Sequence, residues 1–156
     1  FCFKVDPKLR REYKQYIDES ILPNHPVTVR KPSTKYKARG IFYNLEEIFN
    51  YINRRYFQNQ ITKPILGWSL NKSYARLVGV SEDKKLLVVS RIFDSKKVPI
   101  KIVEYMIYHE MLHIAIPTKL VNGRRIVHPP EFKKRDLAFP DYDEIQEWIK
   151  KNRTRL

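Results

Sequence analysis

Cysteine is nearly missing from this 156-residue chain, in which Cys2 stands alone. One thiol can form no disulfide within the chain, and it excludes a thiolate zinc ribbon. No apolar run reaches the length of about 18 residues that marks a membrane-spanning helix, and no stretch has the character of a signal peptide. The expectation is a soluble, cytoplasmic protein without membrane contact. The chain opens at Phe1 rather than Met, as it would if its native N-terminus lay upstream. Internal repeats and low-complexity segments are lacking too. Acidic residues are scarce: 17 Asp+Glu stand against 31 Lys+Arg, for a formal net charge of +14.

What is present describes a folded domain. The length fits one unit, since domains typically run roughly 100–200 residues. Hydrophobic residues make up 42% and aromatics 13%, enough apolar area to exclude a solvated, disordered tail. The positive charge creates a field that attracts polyanions. Its denser clusters are Lys35, Lys37 and Arg39; Arg124 and Arg125; and Lys133, Lys134 and Arg135. Such clusters make DNA a candidate partner, although a lysine-rich soluble surface looks the same.

Asp6-Pro7 reads as an N-cap followed by proline at the first helical position. Leu9, Tyr13, Tyr16, Ile17 and Ile21 then recur at helical spacing, which predicts an amphipathic helix over 7–21. Pro23, Pro26 and Pro32 interrupt the next stretch, so 22–40 reads as an extended arm. The alternation of Val27 and Val29 with polar residues favours an arm that wraps the body. The resulting division is an N-terminal helix and basic arm over 1–40 and a main domain over 41–156.

Asn44 with Glu47 forms a capping-box pattern, and Leu45, Ile48, Phe49, Ile52 and Tyr56 line one face of a helix reaching about Phe57. Three runs of strand character come next, at 65–70, 75–80 and 86–91. Leu86-Leu87-Val88-Val89 suggests a strand buried on both faces, and the turn at 81–84 suggests an antiparallel pair. A second helix is bounded by Pro99 and Pro117, and its nearly continuous apolar interior marks it as buried. Residues 117–128 read as a loop containing Asn122-Gly123, Pro129-Pro130 as the opening of a short helix. Asp141 and Glu144 then cap a last helix that buries Tyr142, Ile145, Trp148 and Ile149. The order is that of an α+β fold.

Within the buried helix stands His109-Glu110-Met111-Leu112-His113. Side chains at i and i+4 project from one helical face, so both imidazoles can reach one metal ion. Zn2+ suits that donor type and would keep an open position for water, from which Glu110 can take a proton. A shuffled chain of this composition would show the pattern roughly 0.006 of the time. The bland alternative is a pair of hydrogen-bonded core histidines, which so apolar a helix would accommodate only at a cost. A catalytic zinc also needs a third protein ligand. His128, fifteen residues beyond His113, is the leading candidate. Glu131 is its rival, with helix capping or the orienting of a histidine as its other possible roles. His25, in the arm, reads as a surface histidine. The metzincin pattern fails, because Ile116 and Lys119 occupy its glycine and third-histidine positions.

These stretches together resemble the SprT-like/Spartan family of zinc metallopeptidases. Residues 45–57 are similar to that family's opening helix, and Pro64 to Ser69, with Trp68-Ser69, to its first strand. Tyr108-His109-Glu110-Met111-Leu112-His113 and His128-Pro129-Pro130-Glu131-Phe132 resemble its active-site motifs, including their separation. The likeness covers about residues 44–135. It implies a zincin-like minimal metalloprotease in which a small antiparallel sheet packs on a buried active-site helix. It further implies zinc held by His109, His113 and His128, with Glu110 as catalytic base. Some relatives act on proteins crosslinked to DNA, which would suit the charge and a nucleoid or nuclear location. This chain departs from the pattern at Pro129, where glycine is common, and it lacks the cysteine ribbon of many bacterial relatives. Residues 1–40 have no counterpart in the family.

Three functions compete on these grounds. A zinc-dependent endopeptidase, acting as a monomer on protein or peptide substrates and recruited to DNA by its surface, accounts for the motif and the charge together. A basic nucleic-acid-binding module with a structural or vestigial zinc site would leave Glu110 without a purpose and would normally close the site with a fourth side chain. A hydrolase of non-peptide amides would use the same residues.

Overall fold

The computed structural model describes residues 36–72, 77–81, 83 and 85–152. The helix expected over 7–21, most of the 22–40 arm with Val27 and Val29, and His25 lie outside these residues. Helix α1 spans Leu45–Phe57 and buries Leu45, Ile48, Phe49, Ile52 and Phe57 on one face, each contributing about 1.5–3 kcal/mol of apolar burial. Its cap is a variant of the expected box. The Asn44 side chain accepts from the Glu46 amide at 3.1 Å, and its Nδ2 donates to the Glu47 carboxylate at 2.8 Å. The helix ends on Gln58 in the left-handed region. Buried Asn53 then ties down the exit, donating to the Ile61 carbonyl at 2.9 Å and accepting from its amide at 3.2 Å.

Strands β1 (Ile65–Trp68), β2 (Val78–Val80) and β3 (Leu86–Val89) make a three-stranded sheet in the order β1-β3-β2. The expected antiparallel pair is β2 with β3, where Gly79 faces Val88. The sheet as a whole is mixed, however, because β1 runs parallel to β3, with Gly67 opposite Val88. The chain crosses from one edge to the other before turning into the central strand, and β1 and β3 consequently point the same way. Strand β3 is fully buried on one face only: Leu87 and Val89 are inaccessible, while Leu86 and Val88 are half-covered. The outer edge of β1 is occupied by the chain before α1, where the Trp68 amide donates to the Lys37 carbonyl at 3.0 Å. Gly67 permits that approach, since a Cβ there would fall on the Cβ of Tyr36.

Helix α2, Ile100–Ala115, starts and stops where the prolines require. It buries Ile102, Val103, Tyr105, Met106, Ile107, Tyr108, Glu110, Met111 and Leu112 and packs against α1, β2, β3 and the two helices that come after it, α3 and α4. Residues 117–128, read from sequence as a loop, contain a hairpin of β4 (Lys119–Val121) and β5 (Arg124–Ile126). Asn122 and Gly123 supply the positive φ values, 48° and 71°, that a two-residue turn of this kind demands. Helix α3 is Pro130–Leu137 and helix α4 Tyr142–Asn152.

One carboxylate joins the segment ahead of α1 to the segment ahead of α2. Asp94 is buried and accepts from the backbone amides of Ile41, Phe42 and Tyr43 at 2.6, 2.9 and 3.1 Å. Gly40 leaves room for it, because a Cβ at that position would land on the carboxylate. Hydrogen bonds to a charged acceptor each contribute about 1.5–3 kcal/mol, and losing the acceptor leaves three donors unsatisfied. Asp94→Ala is therefore expected to cost at least about 3 kcal/mol in urea unfolding, and Asp94→Asn clearly less. Equal midpoints for wild type and Asp94→Ala would refute this role.

Candidate metal centre

The helical period alone brings His109 and His113 onto one face of α2, with ring centroids 5.1 Å apart. The hairpin then returns the chain across that face and delivers His128. Its ring centroid lies 5.5 Å from that of His109 and 4.9 Å from that of His113. Ligand-capable nitrogens of the three residues all lie within 4.8 Å of one another, a group able to hold a metal ion. The Nε2 atoms of His113 and His128 are 3.2 Å apart. Two nitrogens bound tetrahedrally to one zinc at about 2.0–2.1 Å would be separated by roughly 3.3 Å, so this pair has the spacing such an ion requires. Among the described residues no fourth His, Cys, Asp or Glu joins the group. Glu131, the rival third ligand, is exposed and outside it.

Two residues of α3 organise the cluster. Phe132, 1% exposed, packs against all three imidazoles, edge-to-face with His109 and tilted against His113 and His128, at centroid distances of 5.1, 4.6 and 4.6 Å. It forms an apolar backing that restricts ring rotation. Asp136, also buried, lies 3.0 Å from Nδ1 of His109. A carboxylate acceptor requires the proton on Nδ1, which leaves the Nε2 lone pair free to face the other two rings. Asp136 also accepts from the Tyr105 hydroxyl at 3.3 Å. Burial, and next the neighbouring Asp136, raise the Tyr105 pKa well above its ordinary value, so Tyr105 remains a donor. Sequence reasoning reached Glu131 as an orienting carboxylate and missed Asp136. The available signal was its position four residues after Phe132, on the same face of a short helix.

Glu110 is 6% exposed. It lines a cleft with His113 between the sheet and the hairpin, beside the imidazole cluster. The pKa of His128 is lowered, chiefly because the surrounding atoms withdraw water from its ring. The neighbouring His109 and Lys133 act in the same direction and Asp136 against it. The neutral form, which offers a lone pair, is thereby favoured.

The basic residues are distributed differently. Lys37 and Arg39 are exposed on the segment beside β1, Arg124 and Arg125 on β5, and Lys133 and Lys134 on α3. Arg125 lines the cleft. Arg135 lies over the Phe57 ring at 5.1 Å. Lys35 is outside the described residues.

No protein-family model and no curated protein matches this sequence. Among solved structures, the fold is similar to that of the metallopeptidase zymogen of Methanocaldococcus jannaschii, jannalysin, with a TM-score of 0.52. The likeness covers 72% of this chain and 93% of that one at 18% identity. It shows a likeness of fold, a small α+β architecture similar to that metallopeptidase structure.

The depressed pKa of His128 has a thermodynamic consequence. Because the folded state resists protonating this ring, the unfolded chain binds more protons as pH drops through the ordinary imidazole range. Chelator-treated protein should lose stability over that interval and level off below the depressed value. His128→Gln is expected to flatten the slope in urea midpoints taken between about pH 5 and 7.5; an unchanged slope would exclude His128 as its source.

Proposed function

We propose that this chain is a zinc-dependent peptidase of the SprT-like type, in which His109, His113 and His128 hold the metal and Glu110 is the catalytic base. The observation that carries the reading is the convergence of three imidazole ligand atoms within 4.8 Å beside a buried carboxylate in an open cleft. The donor chemistry suits zinc, since imidazole nitrogen is one of its preferred ligands, and a three-histidine set with an open position is the catalytic arrangement. When bound, zinc would act as a Lewis acid that makes a water molecule more acidic. Asp136 holds His109 in the tautomer that can ligate. Phe132 keeps the three rings in place against rotation and excludes water from behind them.

Glu110 takes the proton of the attacking water as its oxygen bonds to the peptide carbonyl carbon. It then passes that proton to the amide nitrogen as the C–N bond breaks, releasing an amine and a carboxylate. A structural zinc site would have no use for this carboxylate. The similarity to a metallopeptidase fold supports the peptidase reading over the hydrolysis of other amides.

Association with DNA is a finer part of the same proposal, supported by the net charge of +14 and by the exposed Lys37, Arg39, Arg124, Arg125, Lys133 and Lys134. DNA-associated proteins would then be the substrates, met in the cytoplasm at the nucleoid, or in a nucleus.

Purified protein should contain one zinc per chain by elemental analysis. Ala at His109, His113 or His128 should abolish that content. Glu110→Gln should retain zinc while hydrolysis of an unfolded protein falls by at least about 100-fold. If Glu110→Gln loses zinc as readily as the histidine variants, Glu110 is not the base.

Removing Asp136 tests the orientation of His109 separately. Asp136→Ala should weaken zinc binding about 10- to 100-fold in competition with a chelator, and Tyr105→Phe should change it far less. DNA affinity should fall steeply as salt rises from about 50 to 200 mM; a flat response would remove DNA from the proposal.

A further inference from the structure

We infer that Arg125 selects an acidic side chain in the substrate, so that the site prefers acidic peptides despite its setting in a DNA-attracting surface. This rests on the peptidase reading and names the substrate class for it. The cleft of about 680 Å³ beside Glu110 and His113 is walled on the sheet side by Val78, Val80, Leu86 and Val88. Such a wall suits the apolar parts of a peptide. Facing it is the hairpin, whose Arg125 is the only permanent cation among the described lining residues, just as Glu110 is the only acid.

The two charges have different depths. Glu110 is buried, whereas Arg125 stands exposed at the rim. A peptide whose carbonyl faces Glu110 occupies the cleft that Arg125 also lines, which brings a flanking side chain toward the guanidinium. Arg125 cannot deprotonate, and it presents a planar fork of donors that matches a carboxylate in two places at once. Among the described residues it has no carboxylate partner, as is true of most of the exposed cations; what sets it apart is its place in the cleft lining. The +14 field acts in the same direction, attracting acidic chains and repelling basic ones.

The neighbouring Arg124 is an internal control. Successive strand residues project to opposite faces, and Arg124 is not part of the cleft lining. A response to overall charge would involve both arginines, while selection at the cleft involves Arg125 alone.

The experiment digests a mixture of cellular peptides with wild type, Arg125→Gln, Arg125→Glu and Arg124→Glu and reads the cleavage sites by mass spectrometry. Wild type should enrich Asp or Glu at one position relative to the cut by about threefold to fivefold, the range of a partly exposed ion pair. Arg125→Gln should lose the enrichment, Arg125→Glu should replace it with Lys or Arg, and Arg124→Glu should leave it in place. An unchanged profile in Arg125→Glu, or an equal change in Arg124→Glu, overturns the assignment.

A parallel binding measurement uses the zinc-loaded Glu110→Gln protein with ten-residue peptides differing only in containing Glu or Lys. It reads Arg125 without catalysis, so a wild type that cuts nothing would sink the peptidase reading alone. Loss of affinity for a single-stranded oligonucleotide, with no change for the Glu peptide, on Arg125→Gln would assign this residue to nucleic acid and refute the inference.

Discussion

Placing polar, metal-capable groups inside the most apolar helix among the described residues is the constraint around which the rest is arranged. Helix α2 is the central element of the core, in contact with α1, two strands, α3 and α4, and it also carries His109, Glu110 and His113. An imidazole or carboxylate in that setting loses its hydration and must be compensated by specific partners. Helix α3 supplies two of them. Asp136 accepts a hydrogen bond from Nδ1–H of His109, and Phe132 packs against all three rings. A second polar contact, from the Tyr108 hydroxyl to the Arg135 carbonyl at 2.8 Å, holds α3 against α2 where these contacts occur. The site and the core are thus the same construction.

The peripheral elements depend on that arrangement. Asp94 ties the entry to α1 to the approach to α2, which fixes the two helices that make most of the core relative to one another. The sheet shields one side of α2, and its order β1-β3-β2 leaves β2 at the edge beside the cleft. The hairpin covers no core at all: Leu120 is 75% exposed. Its contribution is to direct the chain back so that His128 meets the helix, and in doing so it brings Arg125 to the cleft.

Elements whose stability is local were legible from the residues. Helices α1 and α2 arise from apolar spacing, a cap and prolines, and the structure places their ends within a residue or two of the expected ones, as it does the start of α4, where Asp141 pairs with Lys101 rather than capping the helix. The hairpin was not legible, because neither strand buries an alternate face and only Asn122-Gly123 marked the turn. The parallel pairing of β1 with β3 was equally hidden, since the same apolar runs satisfy either direction. Asp136 escaped notice for a related reason: a lone carboxylate on a short helix has no meaning until its neighbour is known.

The sequence by itself determined that two imidazoles and a carboxylate occupy adjacent positions on one buried helix, since the helical period leaves i and i+4 no other relation. It also determined the basic charge and the limits of most helices, which depend on composition and on neighbours a few residues away. Tertiary structure alone decided what completes the cluster. His128 lies 15 residues from His113, and Asp136 lies 27 from His109. Separations of that size are closed by the path of the whole chain, through a hairpin and a helix that must dock before either side chain has a partner. The mixed sheet, the backing by Phe132 and the position of Arg125 belong to the same class, because each is set by packing between elements rather than within one.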